Sequence, residues 1–117
     1  MAQFDVYRNP NPATRARIPY LVDVQSDLLD SLATRFVVPL CKPAVLKGRL
    51  AERLNPVFQV EGRKVCMLTP ELAGIPARTL GARVGNLSGE RDAFVAALDL
   101  IISGIWCPTT DQVRNLF

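Results

Sequence analysis

The chain has 117 residues, about half of them apolar (49%), which suits one domain with a modest core. Its 14 Lys and Arg nearly balance 11 Asp and Glu, for a formal charge of +3, which argues against the clustered basicity of a wholesale nucleic-acid binder. Histidine is absent, which removes Ser-His-Asp and Cys-His nucleophile systems in their usual form, together with imidazole metal ligands.

In chain order, MAQFDVYRN shows no basic region followed by an apolar one, so no secretory signal is expected. Residues 3–8 alternate Phe4 and Val6 against Gln3, Asp5 and Arg8, the pattern of a half-buried strand. Residues 9–19, with their prolines and asparagines, predict a loop or wide hairpin tip. Tyr20, Val22 and Val24 then share one face of a strand, with Asp23 and Gln25 on the other. RFVVPL groups Phe36, Val38 and Leu40, and Pro39, which has no N–H to donate, predicts an edge or a bulge.

VFQVEGRKVCML is the clearest hairpin, two β-branched runs around Glu61-Gly62 with Gly62 available for positive φ. TPEL reads as one helical turn, capped by Thr69 with Pro70 at its first position, and PARTL as a short strand. Gly81, Gly85 and Gly89 read as turns before the last element. From about Gly89 the chain is helical. Phe94, Leu98, Ile101, Ile102 and Ile105 share one face, opposite Asp92, Ala96, Asp99 and Ser103. Ser88 is the expected N-cap, with Glu90 and Asp92 at the positive end of the dipole.

Gly104 suits a left-handed helix end, with Ile105 as the apolar residue that follows and Pro108 preventing continuation. Beyond it, Thr109 and Gln112 form a capping-box pattern, and Val113, Leu116 and Phe117 a short apolar stripe. The tail reads either as a helical turn docked on the body or as a disordered end. Strands followed by one helix predict a mainly β fold, a strongly bent antiparallel sheet or small barrel with a C-terminal α-helix packed on it. Residues 1–105 form the expected domain and 106–117 an extension.

The apolar run 93–106 is too short to span a bilayer and carries Asp99, so no membrane association and a cytoplasmic location are expected. Cys41, Cys66 and Cys107 are odd in number, widely spaced and without a CxxC. They predict buried thiols in a reducing compartment, not a zinc site or a disulfide framework.

Asp23, Asp27 and Asp30 invite comparison with paired catalytic carboxylates. Without histidine or a further acidic cluster, turn formation and backbone capping are the better use. Leu28 and Leu29 are adjacent in that turn and cannot both face a core, so one at least belongs to a surface or interface. Lys42, Lys47, Arg49 and Arg53 form a basic stretch opposed only by Glu52, either a solvated face or a landing strip for an acidic partner segment. Trp106, beside Gly104 and Ile105, is either an interface anchor or a lid folded on the body. No residue set points to catalysis, a metal or a cofactor.

QFDVY, VDVQSDLLD, VVPL, MLTPELAGIP and LSGERDAFVAALDLIISGI, in this order and spacing, resemble the CcdB family of toxins from bacterial toxin–antitoxin modules. The resemblance covers nearly all of residues 2–105. It implies an SH3-like barrel with a C-terminal helix, a homodimer, and no enzymatic activity. It further implies a poison that binds the A subunit of DNA gyrase and traps the gyrase–DNA cleavage complex. It implies no sequence-specific nucleic-acid binding of its own.

Carried onto this chain, the toxicity-bearing positions are Leu28 and Leu29, then Asp99, Ile102, Ser103, Gly104 and Ile105. Ser103 stands where the best-known member has a tryptophan that stacks on a gyrase arginine. That member also ends at the isoleucine, whereas this chain continues from Trp106, as an obstruction or as a replacement aromatic. A CcdA-like antitoxin with a disordered, often acidic segment is the implied second partner, with Lys42, Lys47, Arg49, Arg53 and the 9–17 loop as its contacts. Two alternatives remain. One is a degenerate relative that binds antitoxin without poisoning gyrase. The other is a MazF-type endoribonuclease using Arg35 with Thr34, or Arg78 with Thr79.

Overall fold

The computed structural model describes residues 1–46 and 54–104. Strands β1 (Asp5–Arg8), β2 (Tyr20–Asp23), β3 (Thr34–Cys41), β4 (Val57–Val60), β5 (Arg63–Met67), β6 (Ala73–Pro76) and β7 (Arg83–Asn86) precede one helix, α1 (Arg91–Ile102). The sheet order is β4-β5-β3-β2-β1-β7, with β6 also paired to β3 and every pairing antiparallel. The sheet curls into a half-barrel closed on one face by α1, the mainly β fold with a C-terminal helix that the sequence predicts.

Its concave face carries the core: Val6, Tyr20, Val22, Val38, Leu40, Phe58, Val65 and Met67 meet Phe94 and Ala97 of α1. Phe94 stacks between Phe4 and Phe58, each ring centroid 4.6 Å away. The opposite face is also largely closed to solvent, with Asp5, Tyr7, Asp23, Arg35, Val37, Cys41 and Cys66 all buried. Asp23 and Gln25 therefore do not face water as strict alternation implies. Arg35 pairs with Asp23 at 2.6 Å, and the Asp23 carboxylate also accepts from the Gln25 N–H at 2.9 Å. Burial pushes the Asp23 carboxyl up, against the pull of that N–H and of Arg35.

Several expected boundaries move for local reasons. β1 begins at Asp5, not Gln3, because Phe4 takes a left-handed φ of 70° and turns its ring onto Phe94. Such a φ costs about 1–2 kcal/mol for a side chain of this kind, offset here by the stacking and by hydrogen bonds of Phe4 N–H to Asp23 O and Leu87 N–H to Phe4 O. Pro39 lies in an interior strand, not at an edge or bulge. Its carbonyl accepts from Leu68 N–H on the side away from β2, and there the β6 pairing has ended at Val37 while the β5 pairing starts at Leu40. The missing donor falls in that gap, so no ladder bond is lost.

The Glu61-Gly62 hairpin forms as expected, both residues at positive φ (52° and 75°), as a two-residue type I′ turn requires. Thr69 does not cap its 3-10 turn; it is buried and its hydroxyl donates to Leu54 O. The strand read at PARTL lies earlier, at Ala73–Pro76, and Ala77–Thr79 is a 3-10 turn. Gly85 belongs to β7, not to a turn. Ser88 opens a 3-10 turn, and Glu90 occupies the N-cap of α1 without a side-chain bond. The buried stripe of α1 is Phe94 and Ala97, flanked by Ala93 and Leu98, whereas Ile101 and Ile102 overhang the body.

Candidate functional site

The loop after β2 is built by short-range chemistry. Ser26 Oγ accepts from Leu28 N–H at 3.2 Å, and Asp27 Oδ1 accepts from Gln3 N–H at 2.8 Å. Asp30 Oδ1 takes Arg35 Nη1 at 3.1 Å. Asp23 and Asp27 accept from backbone N–H groups, the expected use, while Asp23 and Asp30 also pair with Arg35, which the sequence reading did not anticipate. No group of residues that could hold a metal ion is found among the described residues. Buried Gln25 ties the loop to β3: its Nε2 donates to Leu29 O at 2.9 Å, and its Oε1 accepts from Phe36 N–H at 3.0 Å.

This framework leaves Leu28 93% exposed and turns Leu29 toward the end of α1. Leu29, Phe36, Leu72, Leu98 and Ile102, with Val24, Gln25 and Ser26, line an apolar groove of about 290 Å³. Ile102 is 76% exposed and Phe36 about half exposed, so the groove opens onto a hydrophobic rim. Soluble proteins leave such rims uncovered mainly where another protein docks.

At the helix end, Gly104 takes φ +57°, and its N–H donates to Asp99 O at 3.2 Å. Ser103 closes back on its own helix, its Oγ donating to Asp99 O at 2.9 Å, so its side chain does not project as an anchor. Asp99 is exposed on the last full turn. Of the sequence-predicted set, Leu29 and Ile102 meet in one groove, with Leu28 beside it and Asp99, Ser103 and Gly104 following Ile102. Ile105 and Trp106 lie outside the described residues.

The basic set divides similarly. Lys42 is exposed at the end of β3, its N–H bonded to Arg17 O at 2.9 Å, which joins the 9–19 loop to that strand. Lys47, Arg49 and Arg53 lie outside the described residues. Asn9 and Arg15 of the 9–17 loop, which the sequence reading named as an antitoxin contact, line a cleft of about 170 Å³ with Arg8, Pro19, Tyr20 and Arg63, residues that reading did not bring together. Its arginines come from separate segments of the sequence, so no charge run signals it.

The arginine pairs named for ribonuclease chemistry do not form a shared site. Arg35 is 1% exposed and held by Asp23 and Asp30, out of reach of a substrate. Arg78 is exposed beside Thr79, whose hydroxyl donates to Pro76 O at 2.7 Å. Among the described residues, no helix is long and apolar enough to cross a membrane. A family model described as CcdB protein matches residues 3–104.

Proposed function

The chain belongs to the CcdB family, the toxins of toxin–antitoxin modules, and we propose that it acts on the A subunit of DNA gyrase, trapping the gyrase–DNA cleavage complex. The observation that carries this reading is the exposed apolar corner formed by Leu28, Leu29 and Ile102 next to the left-handed Gly104. Such a corner binds and wedges without chemistry, and the family is one of poisons, not a known enzyme family.

In this reading two copies associate across the Phe36–Ile102 rim as an isologous cytoplasmic homodimer, presenting two corners to a two-fold-symmetric gate. Leu28, Leu29, Asp99, Ile102, Ser103, Gly104, Ile105 and Trp106 face gyrase. With Ser103 bonded to its own helix, the aromatic contribution falls to Trp106. Lys42, Lys47, Arg49 and Arg53 receive the acidic segment of a CcdA-like antitoxin.

The test is plasmid cleavage by purified gyrase with ATP, comparing the full chain with one stopped after Ile105. Linear DNA trapped by both forms supports poisoning with the tail as bystander. Trapping by the shorter form alone makes the tail an obstruction. Failure of both, from a folded protein that still binds its antitoxin, replaces this reading with that of a degenerate relative.

A further inference from the structure

The hairpin residue Glu61 sits in an unfavourable backbone conformation for its type. A type I′ turn prefers Asn, Asp or Gly at its first position, and Glu61 holds φ 52° there. Its carboxylate explains the choice. Oε1 accepts from the Tyr20 hydroxyl at 2.7 Å, and Oε2 pairs with Arg8 Nη2 at 2.9 Å. Tyr20 is 2% exposed, so its hydroxyl is a fixed donor on a buried ring, and the same residue lines the arginine cleft.

Arg15 and Arg63, which line the same cleft, have no carboxylate within ion-pair distance among the described residues. Three arginines and a buried tyrosine thus line the cleft, and Glu61, bonded to two of these residues, lies outside its lining. Both Arg8 and Arg63 act on the Tyr20 hydroxyl electrostatically, while burial, first, and Glu61 push its pKa up. The 9–19 loop that carries Arg15 is bonded through Arg17 O to the Lys42 N–H.

We propose that this cleft is a carboxylate-binding site for an acidic peptide segment, and that Glu61 is its internal competitor, which an incoming carboxylate displaces from Arg8 and Tyr20. The inference rests on the reading of an acidic protein partner and adds where such a segment is gripped and what limits its affinity. A carboxylate is favoured over a phosphate because the group the site already holds is a carboxylate, received by one fork of Arg8 and one hydroxyl. Glu61 lowers affinity for weakly acidic passers-by while leaving room for a segment that brings several carboxylates at once.

The experiment is calorimetric titration of the full-length protein at low ionic strength with blocked hexaglutamate, using hexaglutamine and hexathymidylate as comparison probes. Hexaglutamate is expected to bind and hexaglutamine not. Glu61→Gln is expected to tighten hexaglutamate about fivefold, and Arg15→Ala or Arg63→Ala to weaken it by about the same factor. Unchanged affinity in Glu61→Gln overturns the competitor role, and undiminished binding in both arginine variants overturns the site. Tighter binding of hexathymidylate overturns the carboxylate preference in favour of a nucleic-acid backbone.

Should Glu61→Gln disturb the hairpin, the wild-type side-chain resonances decide, since unshifted Arg15 and Arg63 Nε–H signals on adding hexaglutamate overturn the proposal. The probe is independent of any antitoxin. A protein that binds hexaglutamate in the cleft but no antitoxin sinks the functional reading alone, and the reverse result sinks the cleft alone.

Discussion

Arg35 and Asp23 form an ion pair sealed from solvent: Nη2 and Nε approach the same carboxylate oxygen at 2.6 and 2.8 Å, and the two side chains are 1% and 0% exposed. Through Nη1, Arg35 also holds Asp30 at 3.1 Å, so one guanidinium links β2, β3 and the loop that presents Leu28 and Leu29. Replacing it breaks a buried pair and leaves a carboxylate without its partner. Arg35→Met is expected to cost about 3–5 kcal/mol in urea unfolding. The double change Asp23→Leu with Arg35→Met is expected to cost less than Arg35→Met alone, since no buried charge is left over. A double variant no more stable than Arg35→Met would mean that the pair is not what makes the single change costly.

That pair also marks how far the sequence could be read. The apolar alternation of Tyr20, Val22 and Val24 was legible because one face of the sheet meets α1. Asp23, Gln25 and Arg35 look like solvent residues in the same pattern, yet all three are buried and bonded to partners that only folding brings together. Phe36 shows the reverse: its apolar character suggests a core position, yet it lines an open groove. Pro39 was misplaced because a proline is tolerated wherever a strand changes partners, and partner exchange is a tertiary event. The Leu28-Leu29 anomaly and the Gly104 helix end were legible because both are local. The cleft of Arg8, Arg15 and Arg63 was not, because its residues meet only through folding.

The helix is anchored by one ring. Phe94 is fully buried and stacks on Phe4 and Phe58. Phe94→Ala is expected to cost about 3–5 kcal/mol through lost burial and the cavity left behind. Among the described residues Phe94 is the ring that Phe4 stacks on, with only the Arg91 guanidinium, 5.9 Å away, over the same ring, so the variant should also release the N-terminal turn. Amide exchange faster at Phe4 and Leu87 than at Val22 would show it; uniform acceleration would mean that the stack does not hold that turn.

Gly81 passes close over the end of β1. A Cβ built there lies 2.4 Å from Arg8 O, a backbone atom that cannot swing aside. Arg8 N–H is meanwhile bonded to Ala82 O at 2.9 Å, so the two segments are locked together. Gly81→Ala is expected to destabilise by about 1–3 kcal/mol, the range for forcing extra volume into a packed site. Gly85→Ala, with nothing within 4 Å of the added carbon, serves as the control and should lie within about 0.5 kcal/mol of wild type.

Alkaline pH should weaken the fold in a defined window. Burial raises the Tyr7 hydroxyl from 10.0 to about 12, and raises the Cys41 thiol from 9.0 to about 11. Between the unfolded and folded values the folded chain keeps protons that the unfolded chain has released. Stability therefore falls as pH rises from 9 toward about 12. The urea midpoint should be flat near neutrality and decline across this window, with Cys41→Ala and Tyr7→Phe each making the decline shallower. A slope unchanged in both variants would show that other groups drive alkaline unfolding.

Leu28→Asp should separate target binding from self-association, whereas Ile102, assigned both to the gyrase-facing end and to the rim between copies, should report on both. Leu28 is almost wholly exposed on the loop tip, so Leu28→Asp is expected to change unfolding free energy by no more than about 0.5 kcal/mol. Trapping of cleaved DNA by gyrase should nevertheless be lost, because a charge then replaces the apolar tip. Ile102 lines the groove with Phe36 and Leu98, at the rim proposed to meet a second copy. In Ile102→Asp the buried charge opposes association, and sedimentation should shift from dimer to monomer at the same protein concentration. The two variants thus differ in kind: a dimer without trapping for Leu28→Asp, and a monomer for Ile102→Asp. A dimeric Ile102→Asp protein would move the self-association surface away from this groove. A Leu28→Asp protein that still traps cleaved DNA would leave the helix end alone facing gyrase.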